Sequence, residues 1–182
     1  QAALKGIAVL DNQGERWTLQ CHIQLAKIAQ SRGDQAQCAD HIRRLRKILV
    51  EGDYHIDWVA NAHATLLAWW HSTQDLDAVE RWRQEAPSPI TEGATNHFSQ
   101  CNVRNHARAL TLLGRFDEAC MLLEALEVHT QRLGLVTDAN RNQICLAAAA
   151  WYAGREEHAC QHMHQALSLA SRTALVGSFL RL

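Results

Sequence analysis

Proline is almost missing from these 182 residues, occurring only at 87 and 89. Because proline breaks helix interiors, its scarcity permits long helices everywhere except around Ala86-Pro-Ser-Pro89, which reads as a loop. No apolar run approaches the roughly 20 residues of a bilayer-spanning helix. The N-terminus also lacks the basic-then-apolar pattern of a secretory signal, so the expected location is the cytoplasm. An excess of one charge is lacking too: the formal net charge is -1, which leaves no global field to draw the chain to nucleic acid or an anionic membrane. The one basic run, His41 to Lys47, is interleaved with Ile42, Leu45, Ile48 and Leu49 and reads as a solvated helix face. The six cysteines form no CxxC pair and sit inside helical stretches, as small buried residues do in a reducing compartment. Catalytic signatures are absent: there is no GxSxG, HExxH, P-loop or Gly-rich dinucleotide fingerprint, and no enzyme activity is expected. His158, Cys160, His162 and His164 are dense, but on a helix His158 and His162 share one face while Cys160 and His164 take nearly the opposite one. Four of them cannot close around one zinc, and His162 reads as a partly buried histidine.

What the chain does have is 47% apolar and 20% charged residues, the balance of a globular, mostly helical protein. Asn96 to Ala119, NHFSQCNVRNHARALTLLGRFDEA, reads as a helix, a tight Gly turn and the start of a second helix. Phe98, Cys101, Ala109 and Leu112 make a stripe for packing on a neighbouring helix. His97, Gln100, Cys101, Arg104, Arg108 and Thr111 make a polar stripe within roughly 100° of arc. The turn recurs as Gly33-Asp34, Gln74-Asp75, Gly114-Arg115 and Gly154-Arg155, at separations of 41, 40 and 40 residues. A period near 40 with a turn midway means stacked helical hairpins, because a lone hairpin cannot bury its apolar stripe. The expected fold is all-α, a TPR-like right-handed superhelix of about four hairpins forming one repeat domain over 1–182. The hairpins are placed at about 16–50, 55–86, 95–133 and 138–172, with Asp138 as a plausible N-cap. Residues 1–10 and the tail from Thr173 read as truncated helices, as in a fragment of something longer.

Mapping the polar stripe of the third hairpin onto its neighbours predicts a groove. Asp57, Asn61, His97, Arg104, Arg108, Asn140 and Arg141 supply directional hydrogen bonds, while Trp70 and Trp151 offer flat faces, as do Trp58 and Trp69. Adjacent Trp69 and Trp70 point about 100° apart, so both cannot face the core. Such a mixture suits an oligosaccharide, with hydroxyls to pair and ring faces to cover. The same polar residues could instead bond to neighbouring repeats. Arg104 and Arg108, four apart with no acid between them, call for an anion, a carboxylate or a hydroxyl-rich ligand. On that reading, Arg104→Ala or Arg108→Ala weakens ligand binding without unfolding the chain. The competing class is a TPR-like scaffold holding a peptide or regulatory partner in the same groove.

The stretch from Asn96 to Ala119, followed by DANRN at 138–142 and WYAGREEHA at 151–159, resembles the sensor region of the MalT-type transcription activators. These are ATP-dependent regulators with a LuxR-type DNA-binding end. The resemblance is strongest from about Trp69 to Phe179. It implies a superhelix of repeats near this length that senses a small inducer, maltotriose or another effector, and signals to the other domains of a parent regulator. It implies no cofactor in this segment, with ATP binding and DNA reading elsewhere in the parent. By motif, Asn96, His97, Phe98, Arg104, Asn105, Ala107, Arg108, Asp138, Asn140, Arg141 and Asn142 match the family pattern.

Overall fold

A computed structural model of the chain describes residues 15–52, 54–175 and 179, without the side chains of residues 15, 16 and 57. The end segments read as truncated helices therefore lie outside the described residues, apart from Thr173 to Leu175 and Phe179. Every regular element among the described residues is helical: α1 Glu15–Ser31, α2 Gln35–Glu51, α3 Ile56–Thr73, α4 Leu76–Glu85, α5 His97–Leu112, α6 Phe116–Arg132, α7 Val136–Tyr152 and α8 Glu156–Thr173. The contacts gather into two compact units, one ending at Thr73 and one beginning at Gln74.

Turn chemistry sets where the helices stop. Gly114 follows α5 with φ 74°, a left-handed conformation that costs glycine little because it has no Cβ. Gln74 holds the equivalent turn with φ 57°, so a side chain here carries backbone strain that the other turns avoid. Asp34 and Asp75, next in the turn, cap α2 and α4 by accepting hydrogen bonds from the amides of Gln37 and Ala78. At the same repeat position Arg115 and Arg155 provide no side-chain cap. Arg115 instead pairs with Glu118 at 2.6 Å, and Arg155 reaches back from α8 to Asp117 of α6.

In the first unit α1 packs on α2 and α3, and Leu19, Ile23, Ile42, Leu45, Leu66 and Trp70 fill the interior. His22 and His41 meet there, Nδ1 to Nδ1, at 3.1 Å. In the second unit α5 packs on α4, α6 and α7, and α7 packs in turn on α6 and α8. Ala107, Leu123, Cys145 and Leu146 form one buried cluster, Ala94, Val103 and Leu126 another, and Leu122 lies against both. Helix α7 is covered on several sides, and its alanines at 139, 147, 149 and 150 let its neighbours come close. The Pro loop before α5 is tied down by His106, which is bonded to the Pro87 carbonyl and has the Trp82 ring 5.0 Å away.

Candidate functional site

The site lies wholly in the second unit, along the seam between the consecutive first helices α5 and α7. Asn96 starts α5 with a capping box: its side chain accepts from the amides of Phe98 and Ser99, and Ser99 Oγ accepts from the Asn96 amide. That cap fixes the register in which His97, Cys101, Arg104 and Arg108 follow one another on the face toward α7, at about 100° per residue. On α7 the matching line runs Asp138, Arg141, Cys145, Ala148 and Tyr152.

Beneath the seam is a buried polar network. Arg104, only 1% exposed, donates from one nitrogen to Asp138 Oδ1 at 2.8 Å and from the other to Asn142 Oδ1 at 3.0 Å. Asn142 passes the chain on through its amide nitrogen, which donates to Glu127 at 3.1 Å and to Thr130 Oγ1 at 3.0 Å. Gln100 accepts from Thr130 at 2.7 Å and donates to the Ala94 carbonyl at 2.7 Å. Helices α5, α6 and α7 are thus joined by one set of bonds that satisfies side chains otherwise costly to bury.

At the mouth of the seam, His97 Nδ1 lies 2.8 Å from Asp138 Oδ1, and Arg141 stands 2.9 Å from the same ring nitrogen and 3.8 Å from the carboxylate. Burial by itself would raise the Asp138 pKa. The hydrogen bond at His97 and the charges of Arg104 and His97 outweigh it and hold the carboxyl below its ordinary range. Arg108, half-buried one turn further along, contacts the Cys145 thiol and lies near Cys101; Cys145 is the largest cause raising its pKa, against the opposing effect of burial. The surface so formed offers several donors over a floor of small side chains.

The sequence-based site residues fall into three groups. His97 and Arg141 come together at the mouth of the seam, while Arg108, about three turns further along α5, lies against Cys145; all three are half-buried. Trp151, 58% exposed, lies about 100° round the helix from Tyr152, which is 55% exposed and better aligned with the seam. Three placements are corrected. Arg104 is interior, because its acidic partner comes from the next repeat and not from its own helix. Asn140 is fully buried and donates to the Ala166 carbonyl of α8 at 2.7 Å. Trp70, 5% exposed, is the core member of its pair, and Trp69 is the half-buried one. Asn61, half-buried, belongs with Trp70 to the first unit, and the Asp57 side chain lies outside the described residues.

Other readings shift as well. Asp138 is not a cap: α7 begins at Val136, and the carboxylate turns inward from the first turn. Phe98 is exposed and does not pack as part of an apolar stripe. His162 is half-buried and bonded to Gln143 Oε1 at 2.9 Å. Sequence reasoning missed Tyr152 and the structural roles of Asp138 and Glu127. The spacing held a clue, since Asp138 lies 41 residues beyond His97, one repeat along at the same height.

Helical hairpins at a 40-residue period, glycine at the turns and a polar seam between successive first helices define a TPR-like repeat protein. All of it, residues 1–182, matches the MalT-like TPR region, and the chain belongs to that family. It is 38% identical over 180 residues to the HTH-type transcriptional regulator MalT of Vibrio cholerae serotype O1, a match covering 99% of this chain and 20% of the relative. It is 38% identical over 177 residues to the HTH-type transcriptional regulator MalT of Klebsiella pneumoniae (strain 342), covering 97% of this chain and 19% of the relative. The MalT regulator of Vibrio campbellii is 36% identical over 180 residues, covering 99% of this chain and 20% of its own length. The chain thus spans about a fifth of these relatives. Among the described residues no helix is long and apolar enough to cross a membrane.

Proposed function

We propose that this chain is the effector-sensing repeat region of a MalT-like transcription activator, and that a small hydroxyl-rich effector such as maltotriose binds along the α5–α7 seam. The supporting observation is the layering of that seam. His97, Arg108 and Arg141 lie half-buried along it, while the bonds of Arg104, Asp138 and Asn142 hold the helices beneath them in place. A pre-positioned row of donors loses less entropy on binding hydroxyls than mobile side chains would. Tyr152 and Trp151, both exposed near the end of α7, supply apolar surface for a ring face.

An effector moves a regulatory switch only through different affinity for its resting and active forms. A ligand lying across two repeats favours one mutual setting of α5 and α7. That setting is passed to the other domains of the parent regulator, where ATP and DNA are handled. The role of this segment is binding rather than catalysis, in the cytoplasm with the rest of the activator.

The test is isothermal titration calorimetry with maltotriose and other short oligosaccharides on the chain and on Arg108→Ala. Saturable binding by the parent chain, weakened at least tenfold in the variant, supports the reading. An extended peptide that binds strongly where every sugar is silent would replace it with the scaffold function.

A further inference from the structure

We infer that the buried His22–His41 pair is a proton-sensitive joint of the first hairpin, holding α1 on α2 while the pair carries at most one added proton and releasing it when both rings are charged. The joint lies in the first unit and does not depend on the sensing function proposed for the seam.

The two imidazoles meet in the interior, 3% and 7% exposed, with their Nδ1 atoms 3.1 Å apart and their ring centroids 5.2 Å apart. A hydrogen bond at that distance needs a proton on one Nδ1 and a lone pair on the other. A neutral pair meets this with one ring as the Nδ1–H tautomer and its partner as the Nε2–H tautomer. One added proton is still accommodated, an imidazolium donating across the gap. A second sets two N–H groups and two positive charges head to head, in an interior that also holds Leu19, Ile23, Ile42 and Leu45, and separation of the helices relieves it.

The surroundings offer no buried counter-charge. Among the described side chains α1 and α3 carry no acid. At α2, Asp34 is engaged as the cap, Asp40 is bonded to Arg43 and Arg44 on the exposed side, and Glu51 stands by Lys47. Burial is the largest influence on His41 and lowers its proton affinity; Asp40 works against burial and Arg44 with it. The other titratable groups in or bordering this interior are Cys38, buried one turn before His41, and Cys21 and Lys27, half-buried on α1. Helix α3, packed on both, brings His63 with a buried Nδ1, another imidazole and not an anion.

The repeat supplies an internal comparison. Positions 22 and 41 recur as 103 and 122 in the third hairpin and as 143 and 162 in the fourth, 19 residues apart each time. In the third hairpin these are Val103 and Leu122, both in apolar packing. In the fourth, His162 Nδ1 lies 2.9 Å from Gln143 Oε1, and a carbonyl oxygen accepts from that nitrogen whether the ring is neutral or charged. Of these three stations, the first hairpin holds the one that double protonation must break. A histidine freed by opening protonates near 6.5, so the joint is closed above that value and opens as pH falls below it.

The experiment is hydrogen–deuterium exchange of the intact chain at pH 7.5 and 5.5, corrected for the intrinsic rate. It is repeated with His22→Gln, which gives the first hairpin the pair of the fourth. Amides of α1 and α2 around Ile23 and Leu45 should lose at least tenfold of their protection on acidification, and more than amides of α7 and α8 around Gln143 and His162. In His22→Gln the loss in α1 and α2 should fall below threefold. Protection in α1 and α2 that is equal at the two pH values overturns the joint, as does an equal loss in both hairpins or a loss in His22→Gln matching that of the parent. If His22→Gln fails to fold, imidazole nitrogen shifts of the parent decide. Both rings should become fully charged only as the α1 and α2 amide signals leave their native positions; full charging of both with those signals unmoved overturns the inference.

Discussion

Arg104 and Arg108 are one helical turn apart on α5, yet a few ångströms of depth give them opposite roles. The Arg104 guanidinium is enclosed and holds Asp138 and Asn142, so Arg104→Ala leaves a buried carboxylate without the arginine that, with His97, holds it. Breaking a buried pair from one side costs about 3 kcal/mol. Arg104→Ala is therefore expected to unfold at clearly lower denaturant, while Arg108→Ala changes stability by about 1 kcal/mol or less. Urea titrations followed by circular dichroism measure both, and equal midpoints would contradict this division. The titrating groups add a pH dependence. Burial is the largest cause lowering the pKa values of His41, His106 and His162. At His41 the neighbouring Asp40 works against burial and Arg44 with it. A histidine depressed in the folded state is fully compatible with the fold above its ordinary value near 6.5. Below that, the unfolded chain takes up protons first and stability declines. Asp138, also depressed, contributes above the ordinary aspartate range and is lost as pH falls through its folded value. Melting points at pH 7.5 and 8.5 should agree, with a lower one at pH 5.5; a midpoint that rises on acidification would refute the assignment.

The helix pairs were largely legible because their signals are local. Gly114, the caps Asp34, Asp75 and Asn96, and the return of the turn every 40 residues each act within a few residues of chain. The helix ends fall close to where those signals place them, as with α2 at Gln35–Glu51 against an expected 35–50. Gln74 shows the same logic under strain. Gln74→Gly removes a side chain from a left-handed backbone, a gain of about 0.5 to 1 kcal/mol after the added freedom of the unfolded chain is counted. Gly114→Ala, with nothing within 4 Å of its new Cβ, loses about 1 kcal/mol through backbone conformation alone. Thermal denaturation of the two variants should shift in opposite directions. Packing between helices has a larger effect: Leu123→Ala in the cluster with Ala107, Cys145 and Leu146 should cost roughly 3 kcal/mol, readable by the same denaturant titration.

At the scale of the whole molecule, the sequence reading has one repeat domain, whereas the contacts gather into two compact units that meet in the chain at Thr73 and Gln74. The seam belongs entirely to the second of them. An effector bound there stabilises the folded chain by mass action, about 2.7 kcal/mol at a hundred times its dissociation constant. A thermal shift that grows with effector concentration is expected, and its absence at saturation would exclude tight binding. In a complete regulator, linkage requires that any nucleotide or DNA that favours the effector-bound form also tighten effector binding by the same factor. Measuring effector affinity with and without those ligands tests the coupling.

Periodicity, turn residues and composition were sufficient to determine an all-helical repeat with hairpins near 40 residues, because each depends on neighbours within one or two turns of helix. The resemblance over Asn96 to Ala119 pointed to the family in the same way, through contiguous residues. Depth was decided only by the tertiary structure. Arg104 and Arg108 look alike on a helical wheel, and so do Trp69 and Trp70 as a pair. Which of each goes inside depends on partners 34 and 38 residues away, Asp138 and Asn142, or on a core assembled from three helices. A pattern along one helix records the direction of a side chain but not what waits there, and it is the second that separates a structural arginine from one that can meet a ligand.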